Sequence, residues 1–219
     1  GNAVFGEWVE KNYDTSFEGI GTAESSNYIG TSWANAATGG LSWWKWFIGE
    51  GGVRVPMVIV PPGAFSSEYS RAGEISNAVM SVKDLPMTIL DYAGIEHPGS
   101  QYKGREIVTP TGISARPFLD GKSEIVRSDN DWYAFELFGN AYLMKGNYKL
   151  MKVRKGMFGD GDWHLFDVVS DPSESKPLEQ EKPEMFEEML SLYKNYEKEH
   201  NLVAVDEDWN AFKAASEAN

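Results

Sequence analysis

Trp43–Gly63 reads WWKWFIGEGGVRVPMVIVPPG, and its second half decides the fold class. Val55-Pro-Met-Val-Ile-Val60 is short, β-branched and nearly free of polar groups, and Pro61-Pro62-Gly63 closes it. That pattern predicts a strand buried on both faces and then stopped. Strands of this kind belong to sheets covered by helices on both sides. Site residues of such sheets lie in the loops beyond the strand ends. Lys45, set among Trp43, Trp44, Trp46 and Phe47, is thereby a candidate site residue delivered beside a sheet. The alternative for Lys45 is a solvated surface lysine, and for the aromatics a core or cleft wall. Wrapped around the lysine, they would lower the local dielectric and strengthen its pull on an anion. Glu50 and Arg54, separated by Gly51-Gly52-Val53, are expected to pair across a tight turn and to brace the loop. The glycines would allow positive φ or close backbone approach.

Composition narrows the classes. The 219 residues suffice for a sizeable core, and a net charge of −13 argues against non-specific nucleic-acid binding, which needs a basic face. There is no cysteine, so neither a disulfide framework nor a thiolate metal site can form. No apolar run approaches the roughly 20 residues of a membrane span. The opening GNAVFGEW shows no signal-peptide pattern, which leaves periplasmic and cytoplasmic homes equally open. Gly1 is an unusual first residue and suggests a processed end or a piece of a larger protein.

Residues 10–42 carry many Gly, Ser, Thr and Asn without a sustained period, and read as a long loop with one short helix near Trp33–Ala37. VKDLPMTILDYAGIEHPG is a helix, with Asp84 as N-cap, Pro86 in the first turn and Gly94 as the C-terminal stop. Leu85, Ile89 and Tyr92 form its expected apolar stripe. From Asp131 to Val168 apolar and polar residues alternate, with turns at Gly139-Asn140, Gly146-Asn147 and Gly159–Asp162, so an antiparallel meander of three or four strands follows. The final helix starts with Pro183 at N1 and buries Met185, Met189, Leu192 and Tyr196, flanked by Phe186 and Tyr193. The chain divides on this reading into 1–121, whose lone core strand lacks neighbours, and 122–219, an α+β unit with its own core.

Familiar local signatures of chemistry are missing: there is no G-x-S-x-G, Walker loop, H-E-x-x-H or G-x-G-x-x-G. Of the three histidines, His97 and His200 suit a turn and a helix end, and His164 a strand. Gly159–Trp163, GDGDW, lacks the further acidic positions of a calcium loop, which favours a hairpin turn.

Four stretches in order nonetheless carry a resemblance. Lys45–Pro56, KWFIGEGGVRVP, is similar to the lysine-to-EGGxRVP segment of the type I sulfatases, the arylsulfatases of the alkaline-phosphatase-like superfamily. Lys83–Ile95 resembles that family's D-x-x-P-T-x-L-D-x-A-G helix, Gly146–Met151 its G-x-[WY]-K-L hairpin, and His164–Glu174 its [EH]-L-[YF]-D-x-x-x-D-P-x-E strand and turn. The match is to the C-terminal part of the family and covers nearly the whole chain. It implies an α/β fold, part of an alkaline-phosphatase-like sandwich, followed by a small α+β subdomain whose antiparallel sheet packs on a helix.

The resemblance also implies a parent that hydrolyses sulfate esters with a formylglycine nucleophile and a calcium ion. The [CS]-x-P-x-R motif that yields formylglycine is not in this sequence. Gly1 would follow an Asp-Asn pair of calcium ligands. Within the chain, Lys45 alone carries over to the catalytic set, contacting the sulfate and the bridging ester oxygen, while Glu50, Gly51, Gly52 and Arg54 support its loop. The fragment alone is expected to be inactive, to hold no cofactor, and to self-associate through its orphan strand. Two alternatives stand beside this reading. One is a phosphonate or phosphate ester hydrolase of the same superfamily. The other is a non-catalytic binding or assembly module.

Overall fold

The computed structural model describes residues 2–26, 30–155, 158–206 and 209. Gly1, the expected neighbour of metal ligands, lies outside the described residues. The elements run α1 (Asn2–Asn12), α2 (Gly30–Ala37), α3 (Glu50–Val53), α4 (Asp84–Ala93), β1 (Gln101–Tyr102), β2 (Arg105–Glu106), α5 (Arg116–Leu119), β3 (Trp132–Leu137), β4 (Asn140–Lys145), β5 (Tyr148–Lys152), β6 (Trp163–Asp167) and α6 (Pro183–Glu199). They form two compact units, Gly1–Val55 with Trp132–Asn219, and Pro56–Asp131. This grouping differs from the division at 121/122, because the segment before Pro56 packs with the C-terminal sheet.

In the first unit β3-β4-β5-β6 form an antiparallel meander in sequence order. Phe138 and Gly139, with φ of 54° and 79°, make a two-residue turn whose twist suits the hairpin, and Gly146 opens the next one at φ 54°. Alternation then sends side chains to two faces. One face presents Ala134, Ala141, Leu143, Leu150 and Leu165 to Met189 and Tyr193 of α6. The other presents Tyr142, Met144, Met151 and Phe166 to Phe47 and Ile48, with Trp43, Trp44 and Val53 partly buried beside them. The sheet is thus covered on both sides. Residues 122–219 supply the whole core between the sheet and α6, while the other side of the sheet is filled from the segment before Val55. The helix α6 packs as its pattern dictates, although Tyr193 sits at the centre of the buried face and not on its flank.

The second unit is organised by polar groups. The α4 helix ends on Gly94 at φ 66°, where the Ile95 N–H reaches the Leu90 carbonyl at 2.9 Å, as the sequence predicts. Its buried residues are Asp84 and Thr88, while Ile89 is 66% exposed. Of the expected apolar stripe, Tyr92 packs against the Ala115, Phe118 and Leu119 cluster and Leu85 is half-buried, but Ile89 points away. Asp84 is not an N-cap either: it accepts the N–H groups of Ser81 at 2.7 Å and Ile113 at 2.9 Å, and pairs with Arg127. Thr88 accepts the Ala115 N–H at 2.9 Å, and Asp91 binds Ser114 and Arg116. A small apolar cluster of Ala115, Phe118 and Leu119 completes the unit.

Val55–Val60 forms no strand. Val55, Val58 and Val60 are 76%, 92% and 60% exposed, against the expectation of burial on both faces. The physical reason is the one that governs all strands: backbone N–H and C=O groups need a partner ladder, and the described residues provide none beside this segment. The short hairpin β1-β2 turns through Lys103 and Gly104 at φ 50° and 75°. The helix α2 includes the short helix expected near Trp33–Ala37. Among the described residues, no helix is long and apolar enough to cross a membrane.

Candidate functional site

Residues 42–54 form a tight loop that closes into α3. The Gly51 N–H donates to the Ser42 carbonyl at 2.7 Å, and the N–H groups of Gly52 and Val53 both donate to the Gly49 carbonyl, at 2.8 and 3.1 Å. The two central glycines serve close backbone approach. A Cβ on Gly51 would lie 2.2 Å from the Trp43 carbonyl oxygen, and one on Gly52 would lie 2.2 Å from that of Phe47. No other residue fits without moving the backbone.

The aromatic side chains divide between two environments. Trp43, Trp44 and Phe47 turn toward the sheet, with Trp43 and Phe47 stacked at 4.6 Å. Lys45 and Trp46 turn outward and are exposed. The expected aromatic envelope around Lys45 is therefore not formed: its Nζ lies 6.0 Å from the centre of the Trp46 ring, and Trp46 itself stacks on Phe138 at 5.6 Å. Among the described residues, no carboxylate pairs with Lys45. Trp43 and Trp46, on either side of it, hold φ of 63° and 84°, a left-handed conformation that L residues rarely adopt.

Glu50 is buried, and its principal partner is not the expected one. The Arg54 guanidinium stands 4.0 Å away with its side chain 49% exposed, at the limit of an ion pair. The Lys149 ammonium of β5 lies 3.0 Å from Glu50 and 2.8 Å from Glu174, and its side chain is fully buried. Lys149 shares the loop-facing side of the sheet, in register between Met144 and Phe166. The Glu174 carboxylate also accepts the Glu50 N–H at 2.8 Å and the Ser42 hydroxyl. Burial pushes the Glu174 carboxyl above its ordinary range, and the Lys149 ammonium works against that rise. Sequence reasoning named Glu50 but passed over Lys149 and Glu174. The available signal was their place in the GNYKLM and DPSE stretches that carry the resemblance.

The histidines keep the roles read from sequence. His97 accepts the Gly99 N–H at 3.1 Å in its turn, and His200 sits over the Tyr196 carbonyl at the end of α6. His164 places its two ring nitrogens 3.0 Å from Glu179 and 2.7 Å from Asp160. Burial opposes its charge, but the two carboxylates prevail and raise its pKa above the usual histidine value. In GDGDW, Asp160 accepts the Asp162 N–H as well as facing His164, the arrangement of a turn.

No family model matches the chain. An uncharacterized sulfatase of Schizosaccharomyces pombe is 34% identical over 205 residues, which make up 92% of this chain and 35% of that protein. An arylsulfatase of Klebsiella aerogenes is 27% identical over 120 residues, 54% of this chain and 25% of that enzyme. The chain spans about a third or less of the curated relatives it matches. The crystal structure of Ps i-CgsB in complex with k-i-k-neocarrahexaose matches 79% of this chain and 33% of its own, with a TM-score of 0.54 at 20% identity, and shows a shared α/β fold.

Proposed function

Because the chain belongs to the sulfatases, as a C-terminal portion of one, we propose that the intact enzyme hydrolyses sulfate esters and that Lys45 contributes to its active site. The observation that supports this role is the contrast between two lysines. Lys149 is buried and neutralised between two carboxylates, whereas Lys45 is offered outward from a braced loop with no carboxylate upon it among the described residues. Its ammonium is therefore available to an anion. An ammonium held against a sulfate ester offsets the charge that gathers on the sulfuryl oxygens and on the departing oxygen as the S–O bond breaks.

The sequence has no cysteine and no [CS]-x-P-x-R motif to yield formylglycine. Among the described residues, no group of three or more His, Asp or Glu side chains is placed to hold a metal ion. These residues do not fit the calcium site that the resemblance implies, and the nucleophile and the metal belong to other segments of the intact enzyme. The 219-residue chain by itself is expected to turn over no aryl sulfate. The intact enzyme is expected to hydrolyse p-nitrophenyl sulfate in preference to p-nitrophenyl phosphate. Turnover by the 219-residue chain alone, or a preference for the phosphate ester, contradicts the proposal.

A further inference from the structure

We infer that the buried cluster of Glu50, Lys149 and Glu174 positions Lys45, so that the C-terminal sheet sets the geometry of the Lys45 loop. The inference rests on the reading of Lys45 given above and adds two residues, Lys149 and Glu174, that act through it. Three observations carry it.

The cluster draws together distant segments. Glu50 is 99 residues from Lys149 and 124 from Glu174, and all three side chains are buried. The Lys149 ammonium stands between the carboxylates at 3.0 and 2.8 Å.

The cluster also grips backbone and not only charge. Glu174 accepts the Glu50 N–H at 2.8 Å and the Ser42 hydroxyl, so one carboxylate holds both ends of the stretch that contains Lys45. Glu174 itself is in the left-handed region at φ 51°, as are Trp43 and Trp46 beside the lysine. Such conformations persist only where the surroundings over-determine them. Here the surroundings are the sheet face and this cluster.

The composition of the cluster is poor for stability alone. Two carboxylates against one ammonium, all desolvated, gain little that well-packed apolar residues would not also give. What apolar residues cannot give is a fixed acceptor for the Glu50 N–H and the Ser42 hydroxyl. Among the described residues the Lys45 ammonium has no carboxylate partner and only the Trp46 ring 6.0 Å away, so its direction is set mainly by the backbone that Glu174 brackets.

Hydrogen exchange on the 219-residue chain tests the structural half. In Lys149→Met, the Glu50 and Gly51 amides are expected to lose protection by at least about tenfold, the worth of one hydrogen bond to a charged group. The amides of β4 and β5 are expected to keep theirs. The triple variant Glu50→Leu, Lys149→Met, Glu174→Leu removes all three charges at once, avoids an unpaired buried carboxylate, and should show the same local loss. Unchanged protection at Glu50 and Gly51 in the folded triple variant overturns the inference.

A double-mutant cycle in the intact enzyme tests the functional half. Lys149→Met is expected to lower kcat by about tenfold or more with KM little changed, and to cost nothing further when Lys45 is already alanine. Additive losses, or an unchanged kcat in Lys149→Met where Lys45→Ala is inactive, overturn the inference alone. An unchanged kcat in Lys45→Ala overturns the reading of Lys45 and this inference with it.

Discussion

The two units of this chain are held together by different means. The unit of Gly1–Val55 and Trp132–Asn219 has a sheet covered on both faces, with Leu143, Leu150, Leu165 and Met189 at zero exposure. The unit of Pro56–Asp131 has a small apolar cluster around Ala115, Phe118 and Leu119 and relies on Asp84, Thr88, Asp91, Arg116 and Arg127. It leaves Val58, Phe65, Ile75, Val108 and Ile89 exposed. Apolar burial grows with area and tolerates small shifts, whereas a polar network depends on each partner being in place. The first unit should behave as a cooperative core, and the second as a scaffold that single polar substitutions can undo.

Hydrogen exchange gives the widest contrast. Amides of β4 and β5 are expected to exchange only through global opening, and those of Ile113 and Ala115 at least about a hundredfold faster, through local opening of the second unit. Equal protection in both would remove the distinction. Asp84→Ala comes next. It removes the buried carboxylate that pairs with Arg127 and accepts the Ser81 and Ile113 N–H groups, and should cost the second unit about 3–5 kcal/mol. Denaturant unfolding followed at Ile113 would read that loss, with the β4 amides unaffected.

In the first unit, Leu143→Ala should cost about 2–5 kcal/mol in thermal or denaturant unfolding, because the side chain is enclosed between sheet and α6. Gly52→Ala should cost about 1–3 kcal/mol by forcing its Cβ off the Phe47 carbonyl, and calorimetry should show a lowered Tm.

The smallest effect concerns pH. The folded pKa of His164 is raised, so its contribution to stability is full below its unfolded value of about 6.5 and fades as pH rises through the folded value. The stability gap between the native chain and His164→Gln should be larger at pH 6 than at pH 8.5. A gap that grows with pH would reverse the sign and contradict the pairing with Glu179 and Asp160.

The same contrast governs what could be read from sequence. The meander and α6 were legible because alternation, glycine turns and Pro183 each point to the same elements, and those elements find their partners within this chain. Val55–Val60 has the residues of a strand, but a strand is completed by its neighbours, and the lack of neighbours that the sequence showed outweighs the local pattern. In α4 the apolar period pointed to Leu85, Ile89 and Tyr92, of which Ile89 is exposed, while the buried residues are Asp84 and Thr88 in service of N–H groups 29 and 27 residues away. Propensity and period carry no information about such distant partners. Lys149 was hidden in the same way: a lysine in an alternating strand reads as solvent-facing, and only the fold brings two carboxylates to it. The glycines of the Lys45 loop were legible in identity, and the structure shows that close approach is what requires them.

The measurement that bears most directly on the account is the turnover of p-nitrophenyl sulfate by the intact sulfatase carrying this segment, before and after Lys45→Ala. The exposed ammonium on a braced loop, with no carboxylate partner among the described residues, predicts a fall in kcat of about 10²–10³-fold, the loss of one preorganised group facing developing charge. A kcat within about twofold of the unaltered enzyme, against the two- to three-decade loss expected of such a group, would contradict the account and leave Lys45 a surface lysine on a well-built loop.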